Sequence, residues 1–228
     1  MITAAPTLPR TDAELQSEVL NELACDTTVD ATEVGVQVHG GIVTLTGCIS
    51  SYPKKLAAVD AAHRVRGVLD VVNQLRVRIP SSWERSDESI AAEVRDALKA
   101  DVLVPDERIT STVSDGTVTL EGHVQTWPER VHAEQAVQRL AGVKCVSNLI
   151  AVLRSAAPAE DIRRQILGAL RRQADREAHR IEVQVDDGVV TLTGTVRSWA
   201  ERNAIERAAQ YVAGVRRVDD RTVLDPLH

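Results

Sequence analysis

The sequence Gly116-Thr117-Val118-Thr119-Leu120-Glu121-Gly122 occurs three times in this chain in nearly the same form. Its counterparts are GIVTLTG at 41–47 and GVVTLTG at 188–194, which lie 75 residues earlier and 72 residues later. Apolar and polar residues that alternate after a turn glycine are typical of a half-buried β-strand in a hairpin. Because the pattern recurs at an almost fixed period, it indicates a chain built from copies of one unit.

Three further markers keep a constant distance from this stretch. An aromatic residue follows its first glycine by 11 residues, a Gly-Val pair follows by 26, and an Asn or Asp comes six residues after that second glycine. The aromatic residues are Tyr52, Trp127 and Trp199, the glycines are Gly67, Gly142 and Gly214, and the polar residues are Asn73, Asn148 and Asp220. The chain therefore divides into units at 11–79, 86–153 and 159–224, which we call units 1, 2 and 3. The linkers at 80–85 and 155–158 are short and leave little room for independent tumbling.

Each unit is predicted to be α-β-β-α-β. The first helix has an apolar residue every four positions, for example Leu15, Val19 and Leu23, and Thr11 with Glu14 predicts a capping box. The second helix, rich in Ala, is expected to begin near Pro53, Pro128 or Ala200, with the aromatic residue in the loop before it and Gly67, Gly142 or Gly214 at C′. The last strand returns through a helix and should run parallel to the second strand. We therefore predict an α+β fold, in which each unit is a three-stranded mixed sheet covered on one face by two helices.

Composition excludes several classes of protein. The 228 residues have a formal net charge of −6 and no Phe, so Val, Ile, Leu and Ala must form the cores. No apolar run approaches the ~20 residues that span a bilayer. The first ten residues lack a basic region followed by an apolar one, which favours a cytoplasmic protein over a secreted one. The three cysteines do not form a C-x-x-C motif. We expect them to be reduced thiols and small buried residues.

The sequence resembles the BON domain family. The resemblance rests on the order helix, G-x-V-T-L-x-G, helix and G-V-x-x-V-x-N, and it covers about 200 residues in three copies. It implies an osmotic-stress role and a protein that binds phospholipid surfaces, ions or other proteins without catalysis. Many members are periplasmic or associated with the outer membrane, whereas this chain shows no export signal. Unit 1 departs from the pattern at Tyr52, where the other units have Trp, and at Cys48.

The sequence shows no constellation typical of catalysis. The motifs G-x-x-x-x-G-K-[ST], G-x-S-x-G, H-E-x-x-H and C-x-x-C are absent, and no two of the six His have the spacing of metal ligands. We therefore predict a protein that is not an enzyme and has no catalytic residues, no cofactor and no metal site.

The aromatic markers form one group of candidate binding residues. Tyr52, Trp127 and Trp199 are each followed by cations, which are Lys54, Lys55, Arg130 and Arg202. An aromatic ring beside a cation suits the interface of a bilayer, where the cation meets lipid phosphate. Packing of the same rings between neighbouring units is the alternative.

Charge differs between the units. Unit 1 has 6 Lys and Arg against 9 Asp and Glu, unit 2 has 6 against 11, and unit 3 has 12 against 11, with every cation in unit 3 an Arg. Arg164 and Arg171 lie opposite the apolar stripe of the first helix of unit 3, and Arg197 precedes Trp199. The nearby arginines are Arg163, Arg172, Arg176 and Arg180. This surface is a candidate for an anionic partner, and a solvated helix face is the alternative. Nucleic acid is not expected because the chain is acidic and poor in aromatic residues.

These candidate binding residues lead to three hypotheses about function. The preferred one is a stress-related binding protein that engages anionic phospholipid through the aromatic and Arg residues. A soluble protein that responds to K⁺ or a divalent ion is the second, and its ligands would include Asn73, Asn148 and Asp220 unless these cap nearby backbone. A chaperone-like or protein-interaction module is the third. Unit 3 could also dock on the acidic unit 2 or on another chain, and exposed strand edges could drive self-association.

Overall fold

A computed structural model describes residues 10–153, 157–173 and 181–225, in which the three predicted units share one order of elements. Unit 1 contains α1 (Asp12–Cys25), β1 (Val34–His39), β2 (Ile42–Ile49), α2 (Tyr52–Arg64) and β3 (Asp70–Val77). Unit 2 contains α3 (Asp87–Ala100), β4 (Ile109–Ser114), β5 (Thr117–Val124), α4 (Trp127–Gln138), β6 (Cys145–Asn148) and β7 (Ala151–Val152). Unit 3 contains α5 (Ala159–Gln173), β8 (Ile181–Asp186), β9 (Val189–Val196), α6 (Trp199–Gln210) and β10 (Arg217–Leu224). The predicted α+β fold is confirmed.

Each sheet is mixed, as predicted. In unit 1, β2 is central, antiparallel to β1 and parallel to β3. Unit 3 has the same arrangement around β9. In unit 2 the third strand is divided into β6 and β7, both parallel to β5. The return through a helix on one face explains why the last pairing is parallel.

Each unit has its own apolar core between the two helices and the sheet. The predicted stripe of each first helix is buried, and the Ala-rich second helix lies against the same core. The Thr11 capping box at the start of α1 is present. The first-helix stripes are Leu15, Val19 and Leu23, then Ile90, Val94 and Leu98, then Ile162, Ile166 and Leu170.

The second glycine of each G-x-V-T-L-x-G stretch has a backbone conformation that only glycine adopts easily. Gly47 has φ +127° and lies opposite Val34 in the β1–β2 pair. A Cβ atom at Gly47 would overlap the carbonyl oxygen of Glu33. The motif therefore contains this glycine because the strands approach too closely there for any side chain.

Two expectations about the second helices are wrong in detail. Trp127, like its two counterparts, is the first residue of its helix and does not lie in the preceding loop. The helices also end earlier than predicted: α4 ends at Gln138, so Gly142 lies beyond the C′ position, in a turn closed by a bond from the Val143 N–H to the Leu140 carbonyl. That turn requires a positive φ at its third residue, and Gly142 has φ +86°.

The cysteines are free thiols, but the expectation that they are buried is wrong. Cys25, Cys48 and Cys145 are all exposed. Cys25 is the last residue of α1, beyond its buried stripe. Cys48 lies on the open face of the sheet because strand residues alternate, and Val43, Leu45 and Ile49 occupy the face towards the helices.

Candidate functional site

Tyr52, the aromatic marker of unit 1, is part of the contact between units 1 and 2. Its side chain is 9% exposed and belongs to the core cluster of unit 2, where Leu56 and Val77 of unit 1 also pack. Burial is the largest cause that raises the pKa of the Tyr52 phenol, and a hydrogen bond with the backbone of Val146 opposes it. The position favours packing between units over contact with a lipid.

Trp199, the marker of unit 3, contacts unit 1. Its ring stacks on His63 of α2, with ring centroids 4.1 Å apart and 23° between the planes. The guanidinium of Arg202 lies 4.8 Å from the centre of the Trp199 ring. Within the described residues, the buried indole N–H of Trp199 finds no hydrogen-bond acceptor. This ring is therefore also used between units.

The predicted cations Arg130 and Arg202 form hydrogen bonds with groups of their own units. Arg130 lies 4.8 Å over the half-buried Trp127 ring and donates to the carbonyl oxygens of Ile150 (3.0 Å) and Asn148 (2.7 Å). Arg202 Nε donates to Asp220 Oδ2 at 2.6 Å. Lys55, the counterpart in unit 1, donates to the Leu75 carbonyl at 2.8 Å. Each of these cations ties the second helix to the third strand.

The repeated Asn or Asp caps the backbone of its own strand. Asn73, Asn148 and Asp220 each accept a hydrogen bond from the N–H two residues later, at 3.1, 3.2 and 2.8 Å. Asn148 also donates to the Arg130 carbonyl and to Glu134, both at 3.0 Å. A local cap of this kind is needed in every copy of the fold, which explains the repetition.

A groove of about 800 Å³ lies between α5 and α6 of unit 3. Its floor is formed by small or apolar residues, and exposed cations and Tyr211, which is 57% exposed, form its rim. The floor contains Gly168, Ala169, Ala208, Val212 and Ala213, and the rim cations are Arg164, Arg172 and Arg207. We call this feature the α5–α6 groove. Arg164 pairs with Asp161 at 3.1 Å but its side chain remains 72% exposed.

The other two units do not repeat this chemistry. In unit 1 the residue at the Tyr211 position is Arg64, which bridges the two helices through Glu22 (2.6 Å) and Asp26 (2.9 Å). In unit 2 the positions of Arg164, Arg172 and Arg207 hold Ala92, Ala100 and Gln135. Guanidinium groups bind phosphate or carboxylate in a bidentate manner, so the α5–α6 groove suits an anionic ligand.

Only part of this groove was predicted from the sequence. The candidate Arg164 lines the groove. Arg171 and Arg197 are exposed but do not line it, and Arg197 lies near the start of α6. Arg207 and Tyr211 were missed. Comparison of the units would have found Arg207, because its counterparts are Asp60 and Gln135. Arg176 and Arg180 lie outside the described residues.

No group of three His, Cys, Asp or Glu side chains in the described ranges is placed to hold a metal ion. No helix among these residues is both long and apolar enough to cross a membrane.

Comparison with known proteins follows the division into units. The model of the BON domain family matches residues 11–79, 86–154 and 158–226. The chain is 28% identical over 141 residues to osmotically-inducible protein Y of Escherichia coli (strain K12), an alignment that covers 60% of this chain and 70% of the relative.

Two solved structures of CdsD, a structural protein of the type III secretion system of Chlamydia trachomatis, also align with the chain. One covers 93% of this chain and 92% of its own length at 16% identity, and the other, a C-terminal domain, covers 95% and 100% at 15% identity. Both have a TM-score of 0.27.

Proposed function

The chain belongs to the BON domain family, and from this premise we propose that it is an osmotic-stress-related binding protein, without catalytic activity, whose third unit engages anionic phospholipid. Similarity to an osmotically inducible protein supports the stress-related role. The observation that carries the lipid ligand is the α5–α6 groove, where Arg164, Arg172 and Arg207 surround an apolar floor.

The groove supports this ligand better than the aromatic markers do. Tyr52 and Trp199 pack against other units, and Arg130 and Arg202 donate to groups within their own units. The rim arginines are exposed, and Arg171 on the last turn of α5 adds a further cation near the same surface. A phosphate at the rim would meet several guanidinium groups, while Tyr211 offers a ring at headgroup depth.

The charge distribution also favours unit 3, rather than unit 2, as the part of the chain that binds an anionic surface. Unit 3 has 12 Arg in a chain whose net charge is −6, so its cations are concentrated at one end. A cation near an anionic membrane surface contributes about 1 kcal/mol, and the contribution decays within a Debye length. Three rim arginines then give a binding preference on the order of 100-fold for anionic over zwitterionic vesicles.

Co-sedimentation with vesicles tests the proposal. The full chain is mixed with phosphatidylglycerol-containing or pure phosphatidylcholine vesicles at low and high salt. The test variant Arg164→Ala, Arg172→Ala, Arg207→Gln carries the residues of unit 2 at these positions. The control Arg95→Gln, Arg108→Gln, Arg139→Gln removes three exposed cations of unit 2 and gives the same net charge.

We expect the wild type and the control to bind anionic vesicles at low salt, and the groove variant to lose most of that binding. Equal binding by the groove variant and the control would reject the site. Absence of binding by the wild type under every condition would reject the lipid ligand.

A further inference from the structure

Unit 2 presents an apolar loop tip that the proposed function does not use. Val102 is 94% exposed and Leu103 is 54% exposed, directly after α3. At the same positions unit 1 has Thr27 and Thr28. An exposed Val-Leu pair, where a sister unit has two hydroxyl side chains, points to a contact.

The loop holds this pair in place. The Leu103 N–H donates to Asp101 Oδ1 at 2.9 Å, and the Val104 N–H donates to the Asp101 carbonyl at 3.0 Å. Val104 is 6% exposed and anchors the loop in the core of unit 2. Because the loop is already folded, a partner would lose little chain entropy on binding it.

Acidic residues flank the apolar pair. The segment 101–107 has the sequence DVLVPDE, and we call it the unit 2 tip. Its carboxylates are Asp101, Asp106 and Glu107, and Asp101 lies 3.8 Å from the imidazole of His132. Unit 2 as a whole has 11 acidic against 6 cationic side chains. The tip thus combines two apolar side chains with negative charge, a combination that suits a basic and apolar receptor.

The α5–α6 groove has the complementary chemistry. Gly168 lies in the middle of α5, where glycine costs about 1 kcal/mol relative to alanine. The nearest atom to a Cβ built there is Arg172 Nη1 at 3.5 Å, so the floor is open above it. At the Gly168 position units 1 and 2 have Asn21 and Asp96. Of the three first helices, only α5 has a glycine at this position. The glycine leaves space in the groove for apolar side chains of a ligand.

We propose that the unit 2 tip of one copy inserts into the α5–α6 groove of a second copy of this chain. Val102 and Leu103 contact the apolar floor and Tyr211, while the tip carboxylates pair with the rim arginines. The tip is exposed and the groove is open in the single chain, so these two surfaces do not bind each other within it.

Such a contact is head-to-tail, because tip and groove are different surfaces of each copy. Each bound copy keeps a free tip or a free groove, and the assembly grows with concentration unless a ring closes. A contact formed by one loop tip is much smaller than the ~1,600 Å² of a standard interface, so we expect weak association. Phospholipid would compete for the same arginines.

Sedimentation velocity without lipid tests the proposal, and its outcome is therefore separate from that of the vesicle experiment. The tip variant Val102→Thr, Leu103→Thr carries hydroxyl residues like those of unit 1, and the groove variant is Arg164→Ala, Arg172→Ala, Arg207→Gln. The control Leu149→Thr, Val223→Thr removes two other apolar residues, which are 60% and 63% exposed.

The wild type and the control should show a sedimentation coefficient that rises with concentration and falls back in high salt. Each test variant alone should stay monomeric. An equimolar mixture of the two variants should form a dimer and nothing larger, because only one intact tip and one intact groove remain per pair. A monomeric wild type up to millimolar concentration, or a mixture that stays monomeric, would overturn the proposal.

Discussion

His63 of α2 stacks face to face on Trp199 of α6, and this pair joins unit 1 to unit 3 across 136 residues of sequence. Tyr52 joins unit 1 to unit 2 by burial in the core cluster of the latter. Two of the three aromatic markers therefore pack on another unit. Unit 1 consequently contacts both of the other units, so a change at either aromatic residue affects the assembly of the whole chain.

Stability should decrease on acidification because of His63. Burial is the largest cause that lowers the pKa of His63, and the charge of Arg202 acts in the same direction, while Asp60 and Asp70 act to raise it. The folded chain then binds fewer protons at this site than the unfolded chain. The contribution of neutral His63 is intact above the usual histidine pKa of about 6.5 and is lost as the pH falls from there through the lowered folded pKa.

The substitution His63→Gln tests this, since units 2 and 3 have Gln138 and Gln210 at the same position. At pH 7.5 the variant should lose the ring contact, about 0.5–1.5 kcal/mol. The difference from wild type in melting temperature should shrink at pH 5.5, because protonation of His63 favours the unfolded wild type, whereas a glutamine at this position does not titrate. A difference that is the same at both pH values would contradict the assignment.

Gly47 and Gly40, two of the four glycines of unit 1 that have positive φ values, should respond differently to alanine. Gly47→Ala would place a Cβ on the Glu33 carbonyl oxygen at φ +127°, and we expect a loss of at least about 3 kcal/mol. Gly40 has φ +56°, and no atom lies within 4 Å of the Cβ that Gly40→Ala would add. We therefore expect a loss of about 1 kcal/mol of stability. Chemical denaturation of the two variants checks the order, and similar losses would mean that the strands can separate at Gly47.

The elements of each unit were predictable from sequence because their causes are local. The spacing of Leu15, Val19 and Leu23 and the alternation within Gly116–Gly122 depend on helix and strand geometry alone. The exposure of Cys48 was predictable from the same alternation, although burial was expected. Glycine at 142 was correctly linked to a positive φ, but the helix before it ends at Gln138, and the turn from Leu140 to Val143 that contains the glycine was not predicted.

The use of each side chain was not predictable, because it depends on how units lie against one another. Nothing in the spacing of His63 and Trp199 indicates that their rings meet. Arg130 and Arg202 have the sequence signature of surface cations, yet each finds a partner on a third strand 18 or 20 residues away. The role of Gly168 in the floor of the groove depends on the packing of α5 beside α6, which its position in the sequence does not indicate.

The half-buried pair Arg202–Asp220 should behave as one energetic unit. The two side chains are 24% and 10% exposed, and Asp220→Asn would leave the guanidinium without its charged partner. We expect a loss of about 1.5–3 kcal/mol for this change. The double variant Arg202→Lys, Asp220→Asn introduces the residue types that unit 1 has at Lys55 and Asn73.

A double-mutant cycle measures the coupling between the two positions by urea denaturation. The double variant should lose less than the sum of the two single variants, with a coupling of about 1–3 kcal/mol. Additive losses would show that the effect of replacing Arg202 by Lys does not depend on the charge at position 220.

Replacement of Thr222 should stabilise the protein. Thr222 is 6% exposed, and no partner for its hydroxyl is found within the described residues. Its counterparts Leu75 and Ile150 are buried apolar residues, so the hydroxyl occupies a position that the other two units give to the core. A buried hydroxyl without a hydrogen bond costs about 1–3 kcal/mol.

Thr222→Val keeps the branched shape and removes this cost, so the free energy of unfolding should rise by about 1–2 kcal/mol. The hydrogen bond from the backbone N–H of Thr222 to Asp220 Oδ1 does not involve the Thr222 side chain and is unaffected. The matched change Thr222→Ser keeps the hydroxyl but loses the methyl group, and it should destabilise. Urea midpoints of the three proteins give the comparison, and a valine variant less stable than wild type would show that the hydroxyl has a partner such as a buried water.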